Sequence, residues 1–172
     1  DAEAVITFFR ITGRKHIFIT GSRGSGKSYL VNNMLKHMSD SFNLLQSHRT
    51  DTPQVVIKSN LVADNKEFVI GLPRTSGINP ASKGNNMTIN ESGFINCAIP
   101  AIDTHLDTTP EKLFVIDELG YLESSCISFQ KAVEKLLDNS HVLAVIRKQS
   151  TEFLNRICNR RDVLVIDIDK TF

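Results

Sequence analysis

The chain has 172 residues, of which 41% are hydrophobic and 23% are charged, and its formal net charge is +1. This length and composition predict one globular domain over residues 1–172. A charge so close to zero gives no electrostatic reason to expect nucleic acid or an anionic membrane as a partner. The apolar stretch at residues 4–9 is too short to cross a membrane and has neither the charged leader nor the cleavage site of a secretion signal. We therefore expect a cytoplasmic protein.

The first strong pattern covers residues 16–38. A short apolar run at residues 16–20 is typical of a buried strand. Residues 21–28 then read Gly-Ser-Arg-Gly-Ser-Gly-Lys-Ser, the spacing of a phosphate-binding loop between a strand and a helix. The apolar residues that follow recur at helical spacing and are Leu30, Val31, Met34, Leu35 and Met38. The sequence therefore predicts a strand, a phosphate loop and an amphipathic helix.

Each part of this loop has a physical task. Gly21 and Gly26 permit backbone angles that a side chain resists, and Gly24 lets the chain approach a phosphate closely. The N–H groups of the loop and the positive end of the helix dipole then form an anion site. Lys27 is predicted to reach the β- and γ-phosphates as a catalytic residue, and the Ser28 hydroxyl to bind Mg²⁺. The predicted nucleotide-binding residues are Gly21, Ser22, Arg23, Gly24, Ser25, Gly26, Lys27, Ser28 and Tyr29.

The middle of the chain, residues 39–112, has weaker patterns. Residues 55–58 and 67–72 look like two strands of a hairpin around the turn Ala63-Asp64-Asn65. Residues 73–91 are rich in Gly, Ser, Asn and Pro, which predicts a surface loop, either a mobile lid or an ordinary insertion. A strand at residues 93–96 and a helix at residues 97–106, with Pro100 in its first turn, are expected next.

Strand-like and helix-like segments alternate after residue 112. Apolar runs at residues 113–117, 142–146 and 163–168 predict three buried strands. The helix between the first two has one apolar face formed by Phe129, Val133, Leu136 and Leu137. A further helix is expected from about Thr151, with Ser150 as its N-cap. This alternation predicts the α/β class, with a mostly parallel sheet between two layers of helices.

An acidic pair, Asp117 and Glu118, ends the first of these strands. Ligands bind at the carboxyl ends of strands in open parallel sheets. Asp117 is predicted to hold Mg²⁺, directly or through water, and Glu118 to orient and partly deprotonate the water that attacks the γ-phosphate. The alternative is that these are solvated acids at a strand end.

Together these motifs resemble the thermophile-type, or cancer-related, nucleoside-triphosphatase family. The resemblance rests on residues 19–28, on Val-Ile-Asp-Glu-Leu-Gly at residues 115–120, on Phe129 and Val133, and on residues 142–147. It implies a three-layer P-loop NTPase fold with an inserted hairpin and a variable loop in the middle. It also implies slow hydrolysis of several nucleoside triphosphates, ATP or GTP among them, to diphosphates with Mg²⁺ and without strong base preference.

The chain departs from that family at two places. The family usually follows the acidic pair with Ile-Gly-x-Met-Glu, where this chain has Leu-Gly-Tyr-Leu-Glu at residues 119–123. The family often has His-Arg-Arg after the next strand, where this chain has Ile146, Arg147 and Lys148. The second change weakens the transfer of a family role to Arg147.

Other polar residues allow more than one interpretation. Arg147 is a candidate catalytic residue that would stabilise γ-phosphate charge, with a solvated loop charge as the alternative. Arg156, Arg160 and Arg161 form either a phosphate clamp or, as we favour, cations stabilised at a helix C-terminus. The cysteines at positions 97, 126 and 158 predict buried thiols, and the five histidines show no metal spacing.

Two other functions stay open. A nucleotide or small-molecule kinase would close residues 73–91 or the arginine cluster over a second substrate. A nucleotide-switched binding module is suggested by Asp117 and Gly120, which fit the Asp-x-x-Gly pattern of guanine-nucleotide switches. The chain lacks an Asn-Lys-x-Asp sequence to read guanine, since residues 65–68 fail at the last position.

Overall fold

The structure is a computed structural model that describes residues 1–73, 87–120 and 122–171. Its strands are β1 (His16–Gly21), β2 (Phe42–Arg49), β3 (Val55–Ser59), β4 (Phe68–Pro73), β5 (Met87–Ile89), β6 (Leu113–Leu119), β7 (His141–Arg147) and β8 (Val163–Asp167). Its helices are α1 (Ala2–Thr12), α2 (Lys27–Met38), α3 (Glu91–Gly93), α4 (Ile99–Thr108), α5 (Ile127–Asn139), α6 (Glu152–Cys158) and α7 (Ile168–Thr171). Short turns at Ala63–Asn65 and Glu123–Ser125 are 3₁₀-helical, and Phe94–Ala98 is π-helical.

The strands form one eight-stranded sheet in the order β5-β4-β3-β2-β6-β7-β1-β8. The neighbouring pairs β2–β6, β6–β7, β7–β1 and β1–β8 are parallel. The pairs β2–β3, β3–β4 and β4–β5 are antiparallel. Parallel neighbours need crossover connections, which helices supply on the faces of the sheet. The mostly parallel α/β sheet predicted from the sequence is confirmed, and the antiparallel strands are the inserted hairpin extended by β5.

Strand β1 shows how the sheet is covered on both faces. Ile17 and Ile19 pack with the buried residues of α1 and α2, whereas Phe18, which is 0% exposed, packs with those of α4, α5 and α6. Successive side chains of a strand point to opposite faces, so one uninterrupted apolar run serves two cores. Burial of each such large side chain contributes about 1.5–3 kcal/mol. The result is the three-layer arrangement expected from the sequence.

Helix α1 and strand β2 are among the elements that were not assigned from the sequence. Helix α1 begins after Asp1, whose side chain accepts a hydrogen bond from the backbone N–H of Ala4 at 2.9 Å. Strand β2 pairs in parallel with β6, with Leu44 opposite Val115. Its outer half is polar and partly exposed, so its sequence lacks the apolar run that marks the other parallel strands.

The strand predicted at residues 93–96 is wrong, because this segment is helical. Helix α3, the π-helical turn and α4 follow one another without a break from Glu91 to Thr108. The residues of this stretch that are 0% exposed are Phe94, Cys97, Ala98, Ala101, Ile102 and His105. Their spacing of three and four residues is that of one helical face. Burial of this face stabilises a helix, although the local composition is typical of a strand. Pro100 lies at the start of α4, as predicted.

The structure confirms the predicted hairpin and changes the bounds of other predicted elements. The predicted hairpin is confirmed, since β3 and β4 are antiparallel with Val56 opposite Val69. Of the surface loop predicted at residues 73–91, residues 74–86 lie outside the described residues, whereas Met87–Ile89 forms strand β5. The N-cap of α6 is Thr151 and not Ser150, because the Thr151 hydroxyl accepts from Leu154 N–H at 3.1 Å. Cys97 and Cys126 are buried and Cys158 is partly buried.

Within the three described ranges, the helices are all too short or too polar to cross a bilayer.

Candidate active site

The phosphate loop lies between β1 and α2 at the carboxyl edge of the sheet. Gly24 and Gly26 have φ angles of 74° and 92°, a region that L side chains rarely adopt. Gly26 immediately precedes α2, so the last N–H groups of the loop are also the unpaired N–H groups of the helix N-terminus. The backbone therefore has the geometry expected of the anion site that the sequence predicts at this position.

Two side chains of the loop have polar groups suited to phosphate. Lys27 Nζ donates to the carbonyl oxygens of Gly21 and Ser22, at 2.9 Å each, so the ammonium group lies over the loop. Ser25 Oγ is buried and has no hydrogen-bond partner among the described residues. A buried hydroxyl without a partner is costly, and a phosphate oxygen would supply the missing acceptor.

Ser28 and Asp117 meet at the start of α2. Ser28 Oγ lies 3.4 Å from Asp117 Oδ1, although the two residues are 89 positions apart in the sequence. Burial raises the pKa of Asp117, and the hydrogen bond from Ser28 opposes this shift. A hydroxyl and a carboxylate beside a phosphate site are the oxygen ligands that Mg²⁺ accepts, so these residues fit the predicted ion.

Glu118 occupies an irregular position in the sheet. Asp117 is opposite Val145 and Leu119 is opposite Ile146, so Glu118 is an extra residue in the pairing of β6 with β7. Such a β-bulge redirects a side chain and is frequent beside active sites. Glu118 Oε1 accepts a hydrogen bond from Arg147 Nε at 2.5 Å. The structure thus brings together the acidic and basic residues that the sequence predicted separately.

The turn after β6 holds Glu118 and Arg147 in place. It includes Glu123, a residue to which the sequence assigned no role. Its side chain is 4% exposed, and its Oε2 accepts the backbone N–H of Gly120 at 2.7 Å. A Cβ added at Gly120 would lie 3.0 Å from Cδ of Arg147, so glycine leaves room for the arginine stem. Burial raises the pKa of Glu123 to about 7. The available signal was its place in the Leu-Gly-Tyr-Leu-Glu motif.

Asp169 of α7 anchors the other side of the phosphate loop. Its carboxylate accepts from Ser22 N–H at 2.7 Å and from Ser22 Oγ at 3.0 Å. Lys148 Nζ donates to the same carboxylate at 2.9 Å, and this hydrogen bond lowers the pKa of Asp169. The sequence offered no signal for this contact, because 147 residues separate Ser22 from Asp169.

The loop borders an open cleft of about 800 Å³, which is within the range of small-molecule sites. Its lining among the described residues is Gly21, Ser22, Arg23, Gly24, Ser25, Gly26, Lys27, Ser28, Tyr29, Glu118, Arg147, Lys148 and Gln149. All nine predicted nucleotide-binding residues are in this set, together with Glu118 and Arg147. Asp117 adjoins the set through Ser28.

Arg156 of α6 and Arg160 and Arg161, which follow that helix, are not in this lining. Arg156 Nε pairs with Glu134 at 2.5 Å, and Arg160 pairs with Asp138 at 2.8 Å and with Asp162 at 2.9 Å. These contacts link α6 and the following turn to the end of α5. They support the interpretation of Arg156 and Arg160 as structural cations over that of a phosphate clamp.

Comparisons of the sequence identify the family and several relatives. A family model described as NTPase matches residues 16–171. The nucleoside-triphosphatase THEP1 of Thermotoga sp. (strain RQ2) is 26% identical over 156 residues, which cover 90% of this chain and 86% of that protein. The protein of the same name from Thermotoga maritima is 24% identical over 155 residues, which cover 90% and 86% of the two chains.

Two solved structures share the fold. The crystal structure of THEP1 from the hyperthermophile Aquifex aeolicus superposes with a TM-score of 0.68 at 19% identity and covers 88% of each chain. The solution structure of a human cancer-related nucleoside triphosphatase superposes with a TM-score of 0.66 at 19% identity and covers 91% of this chain and 90% of that one. At such identities the match establishes the three-layer fold.

Proposed function

This chain belongs to the NTPase family, as the sequence motifs predicted, and we propose that it hydrolyses nucleoside triphosphates such as ATP or GTP to diphosphate and inorganic phosphate with Mg²⁺. One observation carries the proposal. A complete phosphate loop, the Ser28–Asp117 contact and the carboxylate of Glu118 converge on one cleft. A protein that only binds a nucleotide needs the first two features, whereas hydrolysis also needs a group that activates water.

Binding begins at the phosphate loop. Its N–H groups and the N-terminus of α2 attract the β- and γ-phosphates. Lys27, which lies over the loop carbonyls, would exchange these acceptors for phosphate oxygens when the nucleotide enters. Asp169 holds Ser22 from the opposite side, so the first turn of the loop stays in position.

Ser28 Oγ and the Asp117 carboxylate would hold the Mg²⁺ ion of this proposal. Bound Mg²⁺ would neutralise charge on the β- and γ-phosphate oxygens. Burial raises the pKa of Asp117, which the hydrogen bond from Ser28 partly opposes. A divalent cation favours the ionised carboxylate, so its binding would oppose the effect of burial on this group.

Glu118 is the proposed water-activating residue. Its carboxylate would accept a proton as the water oxygen forms a bond to the γ-phosphorus and the bond to the bridging oxygen breaks. Arg147 hydrogen-bonds to Glu118 and lines the same cleft. The guanidinium group is therefore positioned to orient Glu118 and to stabilise charge on the transferred phosphoryl group.

Broad base preference is supported by Tyr29. Its side chain is 75% exposed and lines the cleft directly after the loop. An aromatic ring stacks on any base, because every base has a π-face. A site that holds the base mainly by stacking would accept several nucleotides.

The experiment is phosphate release from ATP, GTP, CTP and UTP with Mg²⁺, with the Lys27→Ala variant measured in parallel. We expect turnover of several nucleotides by the wild-type protein and its loss in the variant, which excludes a contaminating phosphatase. Tight nucleotide binding without phosphate release would instead favour the kinase or the switched binding module. The Ser28→Ala variant should need more Mg²⁺ for half-maximal turnover, and an unchanged requirement would place the metal elsewhere.

A further inference from the structure

The open cleft of about 800 Å³ that borders the phosphate loop is called the triphosphate cleft below. A second cavity of about 240 Å³ lies beside it. Arg23, Glu118 and Arg147 line both spaces, so the two spaces adjoin at these side chains, of which Glu118 and Arg147 form an ion pair. The second cavity extends from this pair toward the ends of β2 and β3, where Arg49 lies. It therefore lies on the side of Glu118 and Arg147 away from the helix that carries the phosphate loop.

The charges around this second cavity favour an anion. Arg23, Arg49 and Arg147 contribute three cationic groups, against two carboxyl groups, those of Glu118 and Glu123. Glu118 is ion-paired with Arg147, which offsets its negative charge. His48, also in the lining, pairs with Glu67 at 3.4 Å. Guanidinium groups are the side chains best suited to bind the oxygens of a phosphate.

The second cavity also contains a buried hydrogen-bond acceptor, the carboxyl group of Glu123. One of its oxygens accepts the Gly120 N–H, and the side chain is 4% exposed. Gln130 Nε2 donates to the carbonyl oxygens of Glu123 and Ser124, at 3.3 Å and 2.8 Å, which fixes this turn. An ionised carboxyl group fixed among arginines would repel an anion that carries no proton. It would accept a hydrogen bond from an anion that does carry a proton.

We propose that this second cavity binds inorganic phosphate, the product of the proposed reaction. The inference rests on the proposed function, because hydrolysis is what produces free phosphate at this position. Inorganic phosphate near neutral pH keeps a P–O–H group that can donate a hydrogen bond to the Glu123 carboxylate. Sulfate has no such group. The cavity volume is below the roughly 300–1,000 Å³ of sites for drug-sized ligands, so a small anion fits the space better than a nucleotide does.

The position of the second cavity gives phosphate a way out that the diphosphate does not block. The leaving diphosphate stays on the phosphate loop, and the phosphate moves past Glu118 and Arg147 toward Arg49. Phosphate can then leave while the diphosphate is still bound. In this arrangement the same arginine that stabilises the transferred group also contacts the released product.

The test is equilibrium dialysis of radiolabelled phosphate and, separately, radiolabelled sulfate against the protein saturated with Mg²⁺ and ADP. ADP fills only the α- and β-phosphate positions of the loop, so anion binding at the open γ-phosphate position is distinguished by variants of Arg49 and Glu123, which line the second cavity and not the cleft. A pH of about 8 lies above the pKa of Glu123 and keeps its carboxyl group ionised. We expect the wild-type protein to bind phosphate at least about tenfold more tightly than sulfate, as loss of a charge-assisted hydrogen bond implies.

Three variants separate the contributions. Glu123→Gln keeps an acceptor for Gly120 N–H but presents an amide to the anion, so the preference for phosphate should fall to about twofold or less. Arg49→Gln should weaken binding of both anions and leave the preference intact. Arg156→Gln, a matched loss of charge outside both cavities, should change neither.

Equal binding of the two anions by the wild-type protein would overturn the inference, as would an unchanged preference in a folded Glu123→Gln variant. If that variant does not fold, the wild-type preference and the Arg49→Gln result decide. Nucleotide hydrolysis is measured in parallel. Hydrolysis without a phosphate preference refutes the second site alone, and a phosphate preference without hydrolysis refutes the proposed function alone.

Discussion

Arg147 Nε lies 2.5 Å from Glu118 Oε1, and the two side chains line both the triphosphate cleft and the cavity beside it. The proposed water-activating group and the proposed charge-stabilising group are thus one coupled pair. Removal of either residue leaves the charge of the other without its partner. A single substitution of Glu118 or Arg147 therefore removes both the function of that residue and the ion-pair partner of the other. A variant that keeps the hydrogen bond between them separates the two effects.

Glu118→Gln should abolish most turnover and preserve nucleotide binding. The amide retains the size of the carboxylate and its hydrogen-bond acceptor for Arg147, but it cannot accept a proton from water. We expect the turnover number to fall by about 10²–10⁴-fold, the usual contribution of a general base. Steady-state phosphate release and titration with a fluorescent nucleotide measure the two effects separately. Unchanged turnover would mean that another group activates water.

Arg147→Ala should lower turnover more than it weakens nucleotide binding. Loss of one preorganised donor to transition-state charge costs about 10²–10³-fold in turnover. Arg156→Ala is the matched control, because Arg156 pairs with Glu134 outside the cleft. Equal kinetic constants for the Arg147 and Arg156 variants would show that Arg147 is a solvated loop charge, the alternative that the sequence left open.

Gly120→Ala tests whether the stem of Arg147 must lie over this turn. The added Cβ would be 3.0 Å from Arg147 Cδ, so the arginine has to shift by a few tenths of an ångström. We expect a several-fold loss of turnover with little change in melting temperature, since the end of a flexible side chain moves more easily than a packed core does. The same loss in the double variant with Arg147→Ala as in Arg147→Ala alone would show that the glycine acts through the arginine.

The sequence located the two main motifs of the candidate site because the residues of each motif are contiguous. Gly21 to Ser28 fix the phosphate loop by local spacing, and Asp117 with Glu118 end an apolar strand, so both motifs are visible without tertiary information. Parallel strands place such loops along one edge of the sheet, which is why the two motifs meet. That rule places Ser28 and Asp117 at the same edge of the sheet, and the structure shows that they are in contact.

The remaining features depend on tertiary packing. The segment that begins at Gly93 has a local composition suited to a strand, but one buried face with helical spacing makes it a helix. Strand β2 pairs with β6 and β3 on its two sides, and only its first half is apolar, so the sequence alone did not mark it as a strand. The contact of Ser22 with Asp169 joins the two ends of the chain, and no local pattern marks such a pair.

Asp169→Asn should weaken nucleotide binding without removing catalysis. The carboxylate accepts both the N–H and the hydroxyl of Ser22 and pairs with Lys148, whereas an amide has only one oxygen to offer. The start of the phosphate loop becomes less ordered, so we expect KM to rise several-fold and the turnover number to change little. Steady-state kinetics with ATP measure both constants. A fall in the turnover number at constant KM would instead place Asp169 in the chemical step.

Glu123→Gln should stabilise the protein increasingly as the pH rises from about 4.5 to about 7. Burial raises the pKa of Glu123 from 4.5 to about 7, with Glu118 adding to the shift and Arg147 opposing it. The folded protein therefore binds more protons than the unfolded chain in this interval, and the free energy of unfolding of the wild type falls with rising pH. Below the unfolded-state pKa both states are protonated and the cost is absent.

The glutamine does not titrate, so the difference in unfolding free energy between variant and wild type should grow by up to about 3 kcal/mol across the interval. Other ionisable groups act on both proteins alike and cancel in the difference. Urea unfolding of both proteins at several pH values from about 4 to 8 measures it. Parallel stability curves would show that Glu123 titrates normally in the folded protein, and a difference of opposite sign would show that its ionised form is the one the fold stabilises.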